Sequence, residues 1–104
     1  MLENVDPFQT KIWQKLQVQQ KKIAKTNLRI LFQKDLHRAQ NYSLENEDIF
    51  VDYSKNLIDE QTMQLLFKLA DKCGLKEAIS AMFAGEKINR TENRAVLHTA
   101  LRNF

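Results

Sequence analysis

The clearest alternation of apolar and polar positions lies in the second half of the chain, over residues 59–73. Apolar side chains recur there at helical spacing, at Met63, Leu66, Phe67, Ala70 and Cys73. Asp59 stands where an N-cap is expected, and Gly74 can adopt the left-handed conformation that ends many helices. The pattern predicts an α-helix over 59–73 with its apolar stripe buried.

Similar periodicity predicts four further helices, over about 7–25, 27–39, 76–84 and 90–103. The first begins with Asp6 and Pro7, an N-cap followed by proline at the first helical position. In the second, Arg29, Lys34 and Arg38 fall largely on the face opposite the apolar residues. In the last, Asn89 and Glu92 have capping-box spacing, with Thr91 as a rival N-cap.

One short stretch alternates with period two instead. Residues 48–53 place Ile49, Val51 and Tyr53 on one side, which predicts a β-strand, and the polar residues "NYSLENED" before it predict a loop. The predicted fold class is therefore mostly α with one short β-strand, in a single segment over 1–104.

Composition supports a globular, helical chain, with 43% hydrophobic and 28% charged residues but only two glycines and one proline. The single Cys73 excludes an internal disulfide. No run approaches the roughly 18 apolar residues of a membrane span, and the N-terminus lacks a signal-peptide core. These features predict a soluble cytoplasmic protein.

Charge is unevenly distributed along the chain, whose net charge is +3. Residues 1–41 contain eight Lys and Arg against three Asp and Glu, whereas residues 42–104 contain eight against ten. The basic half raises the alternative of a free-standing helical module that binds nucleic acid or an acidic protein through Lys21, Lys22 and Lys25. Lysines spaced around an apolar stripe are more typical of a solvated helix face, and stacking aromatics are missing there.

Candidate catalytic chemistry is sparse. The chain has no phosphate-binding glycine loop, no metal-ligand spacing and no nucleophile motif. His98 lies one helical turn after Arg94 in the last predicted helix, so the two can share a face. The pattern assigns them no role, because a lone helical histidine is usually a packing or surface residue and Arg94 has Glu86 and Glu92 nearby.

The final predicted helix is still apolar at Leu101 and Phe104, where the sequence stops without a capping glycine or a polar exit. This pattern leads to the expectation that the chain is the front portion of a longer protein.

Two motifs resemble a known family. "VDYSKN", residues 51–56, and "MFAGEKINRTENRAVLHTALRN", residues 82–103, are similar to the N-terminal part of glucose-6-phosphate isomerases, also called phosphoglucose isomerases. The resemblance extends more loosely over nearly the whole chain. It implies the N-terminal helical segment of an α/β protein that continues into two α/β/α sugar-isomerase domains.

The resemblance also implies an activity, the interconversion of glucose 6-phosphate and fructose 6-phosphate in glycolysis and gluconeogenesis. The family uses a glutamate base, an assisting histidine and lysine, and no metal or organic cofactor, and its members are usually homodimers. The glutamate, the ring-opening histidine and the phosphate-binding residues of the family lie in parts that this chain lacks. The resemblance therefore implies no catalytic residue here, an inactive isolated chain, no nucleic-acid or membrane partner, and only Arg94 and His98 as candidates for residues near function.

Overall fold

The computed structural model describes residues 2–102 and confirms a mostly helical fold. Within this range the regular elements, in chain order, are a 3-10 turn (Pro7–Gln9), α1 (Lys11–Ile23), α2 (Leu28–Lys34), α3 (Arg38–Asn41), β1 (Ser43–Asn46), β2 (Ile49–Asp52), α4 (Glu60–Lys72), α5 (Leu75–Phe83) and a 3-10 helix (His98–Arg102). Asn103 and Phe104, on which the end of the last predicted helix falls, lie outside the described residues.

The first predicted helix, over 7–25, is interrupted at Thr10. Asp6 caps the 3-10 turn by accepting a hydrogen bond from the Phe8 amide at 3.0 Å. Thr10 is extended, and its hydroxyl donates to the Pro7 carbonyl while accepting from the Trp13 amide at 3.1 Å. The predicted helix is therefore divided in two, and α1 has its own N-cap. Thr10 can reach the free amides at the start of α1 more directly than Asp6 can.

The second predicted helix, over 27–39, is also broken, here at Asp35. Its carboxylate accepts from the His37 amide at 2.9 Å and from the Asn41 side chain at 3.0 Å. These hydrogen bonds hold the pKa of Asp35 below its ordinary value, with the Asn41 side chain as the largest cause. A local turn of this kind competes with the helix, so α2 ends at Lys34 and the short α3 begins at Arg38.

The predicted strand belongs to a hairpin, and the predicted loop before it is wrong in part. β1 pairs antiparallel with β2, with Ser43 opposite Asp52 and Asn46 opposite Ile49. Glu47 adopts a left-handed φ of 52° in the two-residue turn between the strands. β1 is polar and mostly exposed, so its sequence lacks the alternation of apolar and polar residues that indicates a half-buried strand.

α4 and α5 occupy the positions where the sequence predicts helices over 59–73 and 76–84. Asp59 caps α4 by accepting from the Thr62 amide at 2.8 Å. Gly74, with φ of 71°, turns the chain from α4 into α5. The end of α5 has the hydrogen bonds of a Schellman motif, from the Gly85 amide to Met82 and from the Glu86 amide to Ala81.

The described residues enclose almost no apolar core. Only Ile23, Leu31 and Ala81 are buried hydrophobic residues among them, whereas Thr10, Gln19, Arg38 and Ser54 are buried polar ones. The molecule measures 48 × 38 × 17 Å, with a radius of gyration of 17.5 Å. A compact domain of about 100 residues has a radius of gyration of about 13 Å. The fold is therefore a thin layer of helices.

The prediction that the apolar stripe of α4 is buried is wrong for part of the helix. Leu66 and Phe67 are exposed, Phe67 to 63%, while Met63, Ala70 and Cys73 are half-buried. α1 packs against α4 but covers only one side of it. Among residues 2–102, no helix combines the length and apolarity needed to cross a bilayer.

Candidate functional site

Residues 85–102, called the motif segment below, follow α5 and contain most of the longer sequence motif, 82–103. The first turn of this segment begins at Gly85, whose φ of 75° is left-handed. A tight loop closes further along, where the amide of Asn89 donates to the carbonyl of Arg94 at 3.0 Å and the amide of Arg94 donates back at 3.1 Å. These reciprocal bonds define an antiparallel bridge where the sequence predicted the start of a helix.

One of the two contacts of the predicted capping box is present in this loop, although the helix is not. The Asn89 side chain accepts from the Glu92 amide at 3.3 Å and from the Thr91 hydroxyl at 2.9 Å. Asn93 then adopts a left-handed φ of 53°, which ends the turn at once. The predicted helix over 90–103 is therefore wrong in its first turns, because a single left-handed residue prevents the turn from propagating.

Arg94 and His98, the two candidate residues, do not share a helical face. Arg94 belongs to the bridge, whereas His98 begins the 3-10 helix. The Arg94 side chain is 76% exposed and lies 3.7 Å from the Glu92 carboxylate. This pairing with a local acid contributes little at such exposure. His98 is exposed as well.

A buried arginine that the sequence pattern missed organises the other motif. Arg38 was predicted on a polar helix face, yet it is only 2% exposed. Its Nε donates to the carbonyl of Ser54, and its Nη2 donates to the carbonyls of Asn56 and Ile58, each at 2.9 Å. The guanidinium carbon lies 4.4 Å from the centre of the Tyr42 ring. Arg38 therefore fastens the "VDYSKN" motif to α3.

Further hydrogen bonds fix the same motif locally. The Ser54 amide donates to Asp52 at 2.9 Å, and side-chain and backbone hydrogen bonds from Ser54 hold the pKa of Asp52 below its ordinary value. The Tyr53 amide donates to the Tyr42 carbonyl at 2.9 Å, and the two rings meet edge to face. Burial raises the pKa of the Tyr42 phenol, against the opposing charge of Arg38.

The clefts of the described residues lack the arrangement of a catalytic site. One cleft of about 700 Å³ is lined by the N-terminal segment and by Lys72, Cys73, Asn89 and Arg90. The side chains with shifted pKa values, Asp35, Tyr42, Asp52 and Asp59, lie outside that cleft. Within residues 2–102, no three His, Cys, Asp or Glu side chains are placed to hold a metal ion.

Many large apolar side chains are exposed on the surface of the described residues. Seven of the fifteen large exposed ones lie on α4, α5 and the motif segment (residues 85–102), at Leu66, Phe67, Leu75, Ile79, Phe83, Leu97 and Leu101. The total accessible surface is 8991 Å², whereas a compact monomer of this mass exposes roughly 6,000 Å². Large exposed apolar patches mark interaction surfaces. The arrangement therefore fits a packing role better than a catalytic one.

α1 and the turn that follows it carry the lysines of the alternative nucleic-acid hypothesis. Lys21, Lys22 and Lys25 are exposed, and Lys22 donates to the Gln61 side chain at 3.4 Å. Beside them, Trp13, Leu16 and Leu66 line an apolar groove of about 580 Å³ between α1 and α4. The described surface of this helix is thus a mixed apolar and basic face.

Comparison with known proteins supports the resemblance of the two motifs. A sequence model described as phosphoglucose isomerase matches residues 52–104. A curated relative, the glucose-6-phosphate isomerase of Christiangramia forsetii, is 46% identical over 101 residues. The match covers 97% of this chain but 19% of that relative, so the chain spans about a fifth of the relative's length.

Proposed function

The chain belongs to the phosphoglucose isomerase family, and from this premise we propose that it forms the N-terminal part of a glucose-6-phosphate isomerase. The whole protein would interconvert glucose 6-phosphate and fructose 6-phosphate, an aldose–ketose isomerisation of glycolysis and gluconeogenesis. Its identity of 46% to a curated isomerase over nearly the whole chain supports this activity.

The role of these residues within the enzyme is to pack against the two sugar-isomerase domains. The observation that carries this proposal is the exposed apolar surface on α4, α5 and the motif segment. Burying one such side chain contributes about 1.5–3 kcal/mol, so several together provide a strong drive for association with further protein. The isolated chain is inactive, because the catalytic base and the phosphate-binding residues are supplied by those domains.

Arg94 and His98 lie near the active site of the complete enzyme. Both side chains are exposed in the motif segment, so both are accessible to other parts of the complete enzyme. An arginine suits the binding of a phosphate or of another anion, and a histidine ring can donate or accept a hydrogen bond. The complete enzyme is a cytoplasmic homodimer that needs neither a metal nor an organic cofactor.

The activity is tested by following the conversion of fructose 6-phosphate to glucose 6-phosphate. We expect the full-length protein to catalyse it and residues 1–104 alone to show none. Turnover by residues 1–104 would contradict the packing role. Absence of turnover by a folded full-length protein would contradict the isomerase assignment.

The placement of Arg94 and His98 is tested in the full-length protein with the variants R94A and H98A. We expect both to lower kcat/KM without changing the melting temperature, since neither side chain is buried in this layer. K87A, which alters another exposed residue of the same segment, is the matched control. Unchanged kinetics in both variants would place the active site elsewhere.

A further inference from the structure

Three backbone carbonyls converge between β2 and α4. They belong to Ser54, Asn56 and Ile58, and each accepts a hydrogen bond from Arg38 at 2.9 Å. In a helix or strand these groups would be paired with amides of the backbone. Here the chain is irregular, and a side chain from α3 donates to all three carbonyls. The Asn56 carbonyl accepts from the Ile58 amide as well, at 2.9 Å. The segment over 54–58 therefore depends on a donor that is distant in sequence.

The surroundings of the Arg38 guanidinium match its planar shape as well as its charge. The guanidinium group of Arg38 lies 4.4 Å from the centre of the Tyr42 ring and 5.6 Å from that of Phe32, both within cation–π range. Its in-plane N–H groups point to the carbonyls, and aromatic rings approach its carbon. An ammonium group has no flat face and no fixed fork of donors, so a lysine would not reproduce this geometry.

The positive charge is balanced without an acidic partner. Among the residues that the structure describes, no carboxylate oxygen lies within 4 Å of the Arg38 guanidinium. Carbonyl dipoles and aromatic faces take the place of a salt bridge. Such a site differs from the usual buried arginine, which is paired with Asp or Glu.

We propose that the carbonyls of Ser54, Asn56 and Ile58 form a recognition site for a guanidinium cation, which the chain fills with its own Arg38. Filling the site fixes the segment between the hairpin and α4. Arg38 is thus the positioning residue of the "VDYSKN" motif, and it acts through the backbone rather than through a charge pair. The proposal concerns the conformation of this segment and does not depend on the isomerase activity.

The test uses hydrogen exchange of the peptides that contain the amides of residues 53–58 in the full-length protein. Removing hydrogen bonds from a charged donor accelerates local opening by at least about tenfold. We therefore expect R38A to exchange at least about tenfold faster there, and R38K to do the same although it keeps the charge. R29A, which alters an exposed arginine on α2, should match the unmodified protein.

Chemical rescue separates recognition from simple packing. Low millimolar methylguanidinium should slow exchange of residues 53–58 in R38A, should leave the unmodified protein unchanged, and should act better than methylammonium at equal concentration. Equal rescue by the two cations, or no rescue, would overturn the guanidinium site. If R38A does not fold, hydrogen exchange of residues 53–58 in R38K provides the test. Exchange as slow as in the unmodified protein would overturn the proposal. Faster exchange in folded R38K would support it.

Discussion

The side-chain amide of Gln19 donates to both carboxylate oxygens of Asp59, at 3.1 and 3.3 Å, across forty positions of sequence. The same amide lies 3.1 Å from the Thr62 hydroxyl, which itself donates to Asp59 at 2.7 Å. Gln19 is only 3% exposed. The N-cap of α4 is therefore also the polar contact that joins α4 to α1.

Replacing Gln19 by alanine should destabilise the protein. The change removes the buried donor and leaves the Asp59 carboxylate partly unsatisfied, so the free energy of unfolding should fall by about 1–3 kcal/mol. Urea unfolding followed by circular dichroism measures this loss. Q20A, at an exposed neighbouring position of α1, is the control and should change little. Equal stability of the two variants would contradict the role of the contact.

Acid should weaken the same contact. Burial pushes the pKa of Asp59 upward, but hydrogen bonds from Thr62 and Gln19 outweigh it and hold the pKa below its ordinary value of 3.8. Because the folded state binds this proton less readily, the contribution of Asp59 is present above pH 3.8 and is lost as the pH falls through the lower folded value. D59N keeps an N-cap of similar shape without this titration.

The urea midpoint of D59N should therefore depend less steeply on pH than that of the unmodified protein below pH 3.8. Some acid dependence should remain in D59N, since the pKa values of Asp35 and Asp52 are lowered as well. Identical pH profiles for the two proteins would show that Asp59 does not contribute.

A side chain at position 74 should lower the free energy of unfolding. Its φ of 71° is left-handed, and a Cβ would meet the Glu77 carboxylate at an ordinary contact distance of 3.6 Å. The cost of G74A is thus conformational rather than steric, about 1–2 kcal/mol in unfolding free energy. G74N should cost less, because asparagine visits this region more readily. Thermal unfolding of both variants tests the order, and an unchanged melting temperature for G74A would refute it.

Local signals in the sequence account for α4 better than for any other element. The capping contact of Asp59 with Thr62 and the left-handed turn at Gly74 are local, so spacing rules describe them well. The contact of Asp59 with Gln19 is beyond such rules. Arg38 could not be located in this way, since its partners lie sixteen to twenty positions ahead and are backbone carbonyls that any residue would supply. Its position among polar residues is typical of an exposed face.

The motif segment shows a second limit of sequence patterns. Asn89 and Glu92 form a capping contact at the predicted spacing, yet Asn93 turns left-handed and the helix does not follow. Spacing identified the cap, but not the residue that ends the turn. Neither Arg94 nor His98 could be assigned a chemical role from pattern, because spacing within one segment does not specify the groups that a side chain meets in space.

The exposed phenylalanines of α4 and α5 should matter only in the complete enzyme. Phe67 and Phe83 are 63% and 67% exposed in this layer, so F67A and F83A should leave the helix content of residues 1–104 unchanged. If the proposed packing on the sugar-isomerase domains is correct, each variant should destabilise the full-length protein by about 3–5 kcal/mol, as expected for a buried phenylalanine. K68A, beside Phe67, is the control. Circular dichroism and denaturant unfolding of both lengths test this contrast, and full-length variants as stable as K68A would show that these side chains face water.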